Sequence, residues 1–91
     1  MFMNKLEYHQ VIEYPVITEK AVNLISANNR VVFIVNKLST KKDIKEAVEK
    51  LYNVKVKTVT TLFDRQNRKK AFVTLKKGYN AQDLANKLGI I

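Results

Sequence analysis

Arg30-Val31-Val32-Phe33-Ile34-Val35-Asn36 decides the fold. Apart from Phe33, its apolar residues are β-branched, and such side chains favour the pleated strand over the helix. Val31, Phe33 and Val35 point one way, and Val32 and Ile34 the other. Both faces are apolar, so the stretch reads as a central strand with a neighbour on each side. Downstream, Leu38-Ser39 is a loop, and Thr40 with Asp43 three residues on forms a capping box. Ile44, Ala47, Val48 and Leu51 then repeat at helical spacing as one apolar stripe. On the wet side Lys42 and Glu46, Lys45 and Glu49, and Glu46 and Lys50 stand four apart.

Val54 to Phe63 alternates. Val54, Val56, Thr58, Thr60 and Leu62 are expected on one face, with Lys55, Lys57, Val59, Thr61 and Phe63 on the other. The paired lysines mark an edge strand or one open to a partner. Asp64 to Lys69 is a polar hairpin loop, and Lys70 to Lys76 the return strand. Asn80 caps a last helix, with Asp83 three on, Ala81, Leu84, Ala85 and Leu88 as its stripe, and Gly89 as its stop. Upstream, Val11 to Tyr14 is extended and stopped by Pro15. Thr18 caps a helix from Glu19 to about Ser26, and Asn28-Asn29 is a turn. The pattern predicts an α+β fold: a four-stranded, mainly antiparallel sheet with helices packed against it. Residues 1–10 read as a short N-terminal segment and 11–91 as a single domain.

Composition narrows the chemistry. The chain has 91 residues, no Cys, and a formal net charge of +9. Without cysteine there is no disulfide scaffold and no thiolate metal site. No segment approaches the roughly 20 apolar residues of a membrane span, and the expectation is a soluble, unprocessed, cytoplasmic protein. His9 stands alone, so no metal site is expected. Ser26 and Ser39 have no His at a spacing that suggests a base. With only Gly78 and Gly89, no glycine-rich phosphate loop can form. The reading is of a non-enzyme with no cofactor and no small-molecule substrate.

The charge is one-sided along the chain. Residues 1–34 and 80–91 are each neutral, and residues 35–79 carry the whole excess. Such an imbalance on a small domain points to a polyphosphate partner. Four clusters carry it: Lys37 with Lys41, Lys42 and Lys45; Lys55 with Lys57; Arg65, Arg68, Lys69 and Lys70 about the hairpin; and Lys76 with Lys77. They fit a surface that holds structured RNA by its phosphates rather than by its bases. The hairpin cations are expected to outweigh Lys41 and Lys45, because acids on the same helix dilute that face. Phe33 and Phe72, both mid-strand, are expected in the core.

Two stretches resemble a known family. Pro15-Val16-Ile17-Thr18-Glu19-Lys20-Ala21 is similar to the opening of the large-subunit ribosomal protein twenty-three family. Lys69-Lys70-Ala71-Phe72-Val73-Thr74-Leu75-Lys76, with Leu84 eight residues on, resembles its signature on the second hairpin strand. The tail from Asn80 to Ile91 looks like the archaeal and eukaryotic branch. The resemblance implies a structural ribosomal protein that binds large-subunit ribosomal RNA beside the exit of the nascent-chain tunnel. Its implied neighbours are large-subunit protein twenty-nine and docking factors such as the signal recognition particle. Lys20, inside the first motif, joins the expected RNA contacts, and Glu19 matches an acid on the factor-docking surface. Bacterial members carry a long basic hairpin and eukaryotic ones a long N-terminal arm. Here the hairpin loop is short and only Met1 to Gln10 precede the domain, so an archaeal type is expected. The alternative is an RNA-recognition-motif-like module for single-stranded RNA, with Val32 to Asn36 and Arg68 to Leu75 as its two motif strands.

Overall fold

Local capping accounts for where the helices begin and end. The computed structural model describes residues 8–89; Met1 to Glu7, Ile90 and Ile91 lie outside the described residues. Thr18 accepts the Ala21 N–H at 3.2 Å and starts α2, Glu19–Asn28. The Thr40–Asp43 capping box is formed in both directions and starts α3, Lys41–Tyr52. Asn80 accepts the Gln82 N–H at 2.8 Å and starts α4, Ala81–Leu88, which Gly89 closes in the left-handed region. A first short helix, α1, covers Tyr8–Val11. Among the described residues the non-glycine positions with positive φ are all asparagines: Asn29, Asn53 and Asn67. Asn is one of the few residues besides Gly that visit that region as single residues.

The strands are β1 (Ile12–Pro15), β2 (Arg30–Val35), β3 (Val56–Phe63) and β4 (Lys69–Leu75), in the spatial order β1-β2-β4-β3, every pair antiparallel. Arg30 to Val35 is therefore central, as its two apolar faces require, and β3 is an edge strand. Because β2 and β3 both run antiparallel to β4, they are parallel to each other, and α3 carries the chain across.

The core lies on one side of the sheet. Val31, Phe33 and Val35 of β2 and Ala71, Val73 and Leu75 of β4 join Ile25 of α2, Ile44, Ala47 and Val48 of α3, and Ala81, Leu84 and Ala85 of α4 in one buried cluster. Phe33 is fully buried and stacks on Tyr52, with ring centroids 6.1 Å apart and planes 7° off parallel.

Four details differ from the sequence reading. First, Tyr8–Val11 is a helical turn packed on α3, and it gives Tyr8 and Val11 to the core. The folded unit thus begins ahead of Val11. Second, alternation along β3 is interrupted. Val56 faces Leu75 and Thr58 faces Thr74, so Lys57 is an extra, bulged residue. The bulge moves Val56, Val59, Thr61 and Phe63 onto the core side and leaves Thr58, Thr60 and Leu62 on the other. Third, Phe72 pairs with Val32 and Thr60, not with the core residues, and is only half-buried. Fourth, Leu51 is 41% exposed, beyond the arc that α3 turns to the sheet.

Candidate nucleic-acid interface

Lys41, Lys42 and Lys45 stand on the exposed arc of α3, opposite the buried Ile44, Ala47 and Val48. The bulge at the start of β3 brings Lys57 beside them. Together with Thr58 and Val59, these four lysines line an open groove of about 360 Å³ between α3 and the sheet edge. Among the described residues no lysine of α3 forms an ion pair within 4.0 Å with an acid of that helix, and the one ion pair found is Arg68–Asp64. Glu49 instead accepts the Val56 N–H at 2.9 Å, tying the end of α3 to the first residue of β3. Two separate sequence clusters thus wall one groove, largely with the aliphatic stems of their lysines, while Glu49 serves the backbone.

The hairpin cations are dispersed. Asp64 organises the turn, accepting the Gln66 and Arg68 N–H groups at 2.9 Å and the Arg68 Nε at 3.0 Å. The Arg68 backbone hydrogen bond leads in holding the Asp64 carboxyl below its ordinary range, with the Arg68 side chain and the Gln66 N–H adding to it. Arg68 in turn donates from Nη1 to the Tyr14 hydroxyl at 3.3 Å, and this bond, then that to Asp64, raises the guanidinium pKa. Arg68 is anchored and its charge compensated. Lys69 points to the core side, where its ammonium donates to the Ser39 carbonyl oxygen. Lys70 points to the opposite side, across from Ile34 and Leu62. Of the four hairpin cations, Arg65 alone stands exposed in the turn with no bond or ion pair to another described residue.

Lys55 and Lys76 meet at the far end of the hairpin, where the Lys76 N–H donates to the Lys55 carbonyl at 2.9 Å. Lys77 follows in the turn that Gly78 closes with φ +97°. The hairpin therefore carries charge at both ends. Lys37 is exposed in the β2–α3 connection, and Lys20 on α2. Glu19 is exposed in the first turn of α2, where the helix dipole favours an acid. Arg30, which sequence reasoning left out of the interface, donates from Nε to Thr74 Oγ1 at 3.1 Å on the side of the sheet away from the core. The parity of the register could have revealed it, but only once the β2–β4 pairing was known.

Neither serine is arranged for nucleophilic chemistry. Ser26 Oγ donates to the Asn23 carbonyl, and Ser39 Oγ to that of Asn36. Among the described residues no group of three His, Cys, Asp or Glu side chains converges to hold a metal, and no helix is long and apolar enough to cross a membrane.

The family model for Ribosomal protein L23 matches residues 10–82, from the end of α1 through all four strands to the first turn of α4. The match takes in Pro15 to Ala21, Lys69 to Lys76, the α3–β3 groove and the hairpin, and ends ahead of Leu84. The chain belongs to the Ribosomal protein L23 family, and is thus a non-enzymatic structural protein of the large ribosomal subunit.

Proposed function

We propose that this protein binds large-subunit ribosomal RNA through its basic edge and helps form the rim of the nascent-chain tunnel exit. The observation that carries the RNA reading is the α3–β3 groove, where four lysines from two elements converge with no carboxylate among its lining residues. Phosphates bound there would release counterions, the main source of affinity in such contacts. Lys20, Lys37, Lys55, Arg65, Lys70, Lys76 and Lys77 would extend the contact, and Arg68 and Lys69 would shape the hairpin that presents it. Large-subunit protein twenty-nine is the proposed protein neighbour, and Glu19 the proposed contact for the signal recognition particle or another exit-site factor. The short turn from Asp64 to Arg68 supports an archaeal-type member. Of the two strand aromatics in the recognition-motif alternative, Phe33 is fully buried against Tyr52 and offers no stacking ring, while Phe72 lies on the opposite face of the sheet.

The test is co-sedimentation of tagged protein with large subunits through a high-salt gradient. Retention is expected. Recovery only in the free fraction, from cells in which the tagged copy is the sole source, would refute the assignment.

A further inference from the structure

The sheet has a second face, which the core does not use. Following the register across it, Lys70 lies beside Ile34 and Leu62, with Tyr14 at the β1 edge. In the next row Phe72 lies between Val32 and Thr60, and in the third Thr74 lies between Arg30 and Thr58. Val32 and Ile34 are buried yet stand apart from the main core cluster. Tyr14 and Leu62 are each 45% exposed, and Phe72 is half-buried. The face is an apolar strip with an aromatic ring at its centre, a cation on either side and threonine hydroxyls along β3.

No carboxylate lies in these three rows. Lys70 and Thr74 flank Phe72 along β4 at two-residue intervals, about 6.7 Å to either side. The bond from Arg30 Nε to Thr74 Oγ1 holds the guanidinium at the sheet. Lysine is depleted from protein contact surfaces, whereas this face places Lys70 next to its ring along β4. An aromatic side chain between cations suits a nucleotide, whose base stacks while its phosphates pair. The α3–β3 groove has no aromatic residue among its lining side chains and so no ring for a base to stack on.

We infer that this sheet face holds an unpaired stretch of RNA, with one base stacked on Phe72 and the neighbouring phosphates met by Arg30 and Lys70. The inference rests on the ribosomal-RNA reading and deepens it: the groove grips backbone, and the sheet face selects single-stranded nucleotides.

The chain has no Trp, so Phe72→Trp provides a single tryptophan, excited selectively beyond the absorption of the tyrosines, at the proposed stacking position. The full-length variant is titrated with a 12-nucleotide RNA of mixed, non-self-complementary sequence, and separately with a perfectly paired RNA hairpin. Anisotropy of end-labelled RNA records binding in parallel. Saturable quenching by the single strand and not by the hairpin is expected. Phe72→Leu, which keeps apolar bulk, should weaken single-strand binding about five-fold or more and leave hairpin binding within about two-fold; Phe72→Tyr should restore it. Unchanged emission while anisotropy reports bound single strand overturns the inference and leaves the groove reading standing. Equal weakening on both RNAs by Phe72→Leu overturns it too, as a general effect on the fold. If neither RNA binds wild type, the ribosomal-RNA reading fails with it.

Discussion

Replacing Lys41, Lys45 and Lys57 together by Gln removes three of the four cations that line the α3–β3 groove. All three are exposed, and surface substitutions of this kind change stability by only about 0.5 kcal/mol, so the melting temperature should hold. Each neutralised phosphate contributes about 0.9 to the log–log salt slope for a duplex and about 0.7 for a single strand. About five neutralised phosphates give a wild-type slope of roughly −3.5 to −4.5; losing three lysines should make it shallower by roughly 2 to 2.7. Counterion release loses its force near 1 M salt, so a slope loss of about 2 becomes about a 100-fold loss of affinity at 0.1 M. The comparator is Arg68→Gln with Lys69→Gln. Arg68 is compensated by Asp64, and Lys69 is turned to the Ser39 carbonyl. Its slope should change by about 1 or less. This order reverses the sequence expectation that the hairpin would dominate, because the α3 acids leave the lysines unpaired while Asp64 does not leave Arg68 so. Filter binding of a structured RNA from about 0.05 to 0.3 M salt reads both slopes. A groove variant within about 0.5 of the wild-type slope, or a larger loss in the hairpin pair, would refute the reasoning.

Phe33→Ala empties the centre of the core and breaks the ring stack on Tyr52; urea denaturation should show a loss of about 3–5 kcal/mol, and a loss under about 1 would contradict the packing described. Burial raises the pKa of Tyr52 above the ordinary 10.0. The folded state then holds this proton more tightly than the unfolded chain, so stability is intact below about pH 10 and falls as pH climbs through the folded pKa. Tyr52→Phe should flatten that alkaline loss in a pH series of denaturation midpoints, and an unaltered slope would remove Tyr52 as its source. Asn29 bonds the Leu75 and Tyr79 carbonyls through Nδ2 and the Ala81 N–H through Oδ1, from the left-handed region. Asn29→Ala should therefore cost about 2–4 kcal/mol in thermal or chemical unfolding, and a neutral result would show that the α2–β2 turn does not depend on it. Glu19→Ala subunits should assemble normally yet bind an exit-site targeting factor more weakly at low salt; unchanged affinity would leave Glu19 as a helix-start residue alone.

The sequence by itself determined what depends on neighbours within about four residues. Thr18, Thr40 and Asn80 cap helices through bonds to the N–H two or three positions on, and those bonds form wherever the segment lies. The centrality of Arg30 to Val35 was legible because two apolar faces need cover whatever the topology. The family, too, was legible in two linear motifs, which the match over residues 10–82 bears out. Tertiary structure decided everything that required a register. The bulge at Lys57 arises where Val56 and Thr58 pair with consecutive residues of β4, and no local preference of Val-Lys-Thr announces it. That one extra residue reverses which side chains of β3 meet the core, and it brings Lys57 to the lysines of α3. In the same way the β2–β4 pairing sends Lys69 to Ser39, 30 positions away, and turns Phe72 from an expected core ring into a surface one. Side chains alternate with a period of two, so a single residue of slip carries a whole strand from one face to the other. Only the pairing of distant strands fixes that choice.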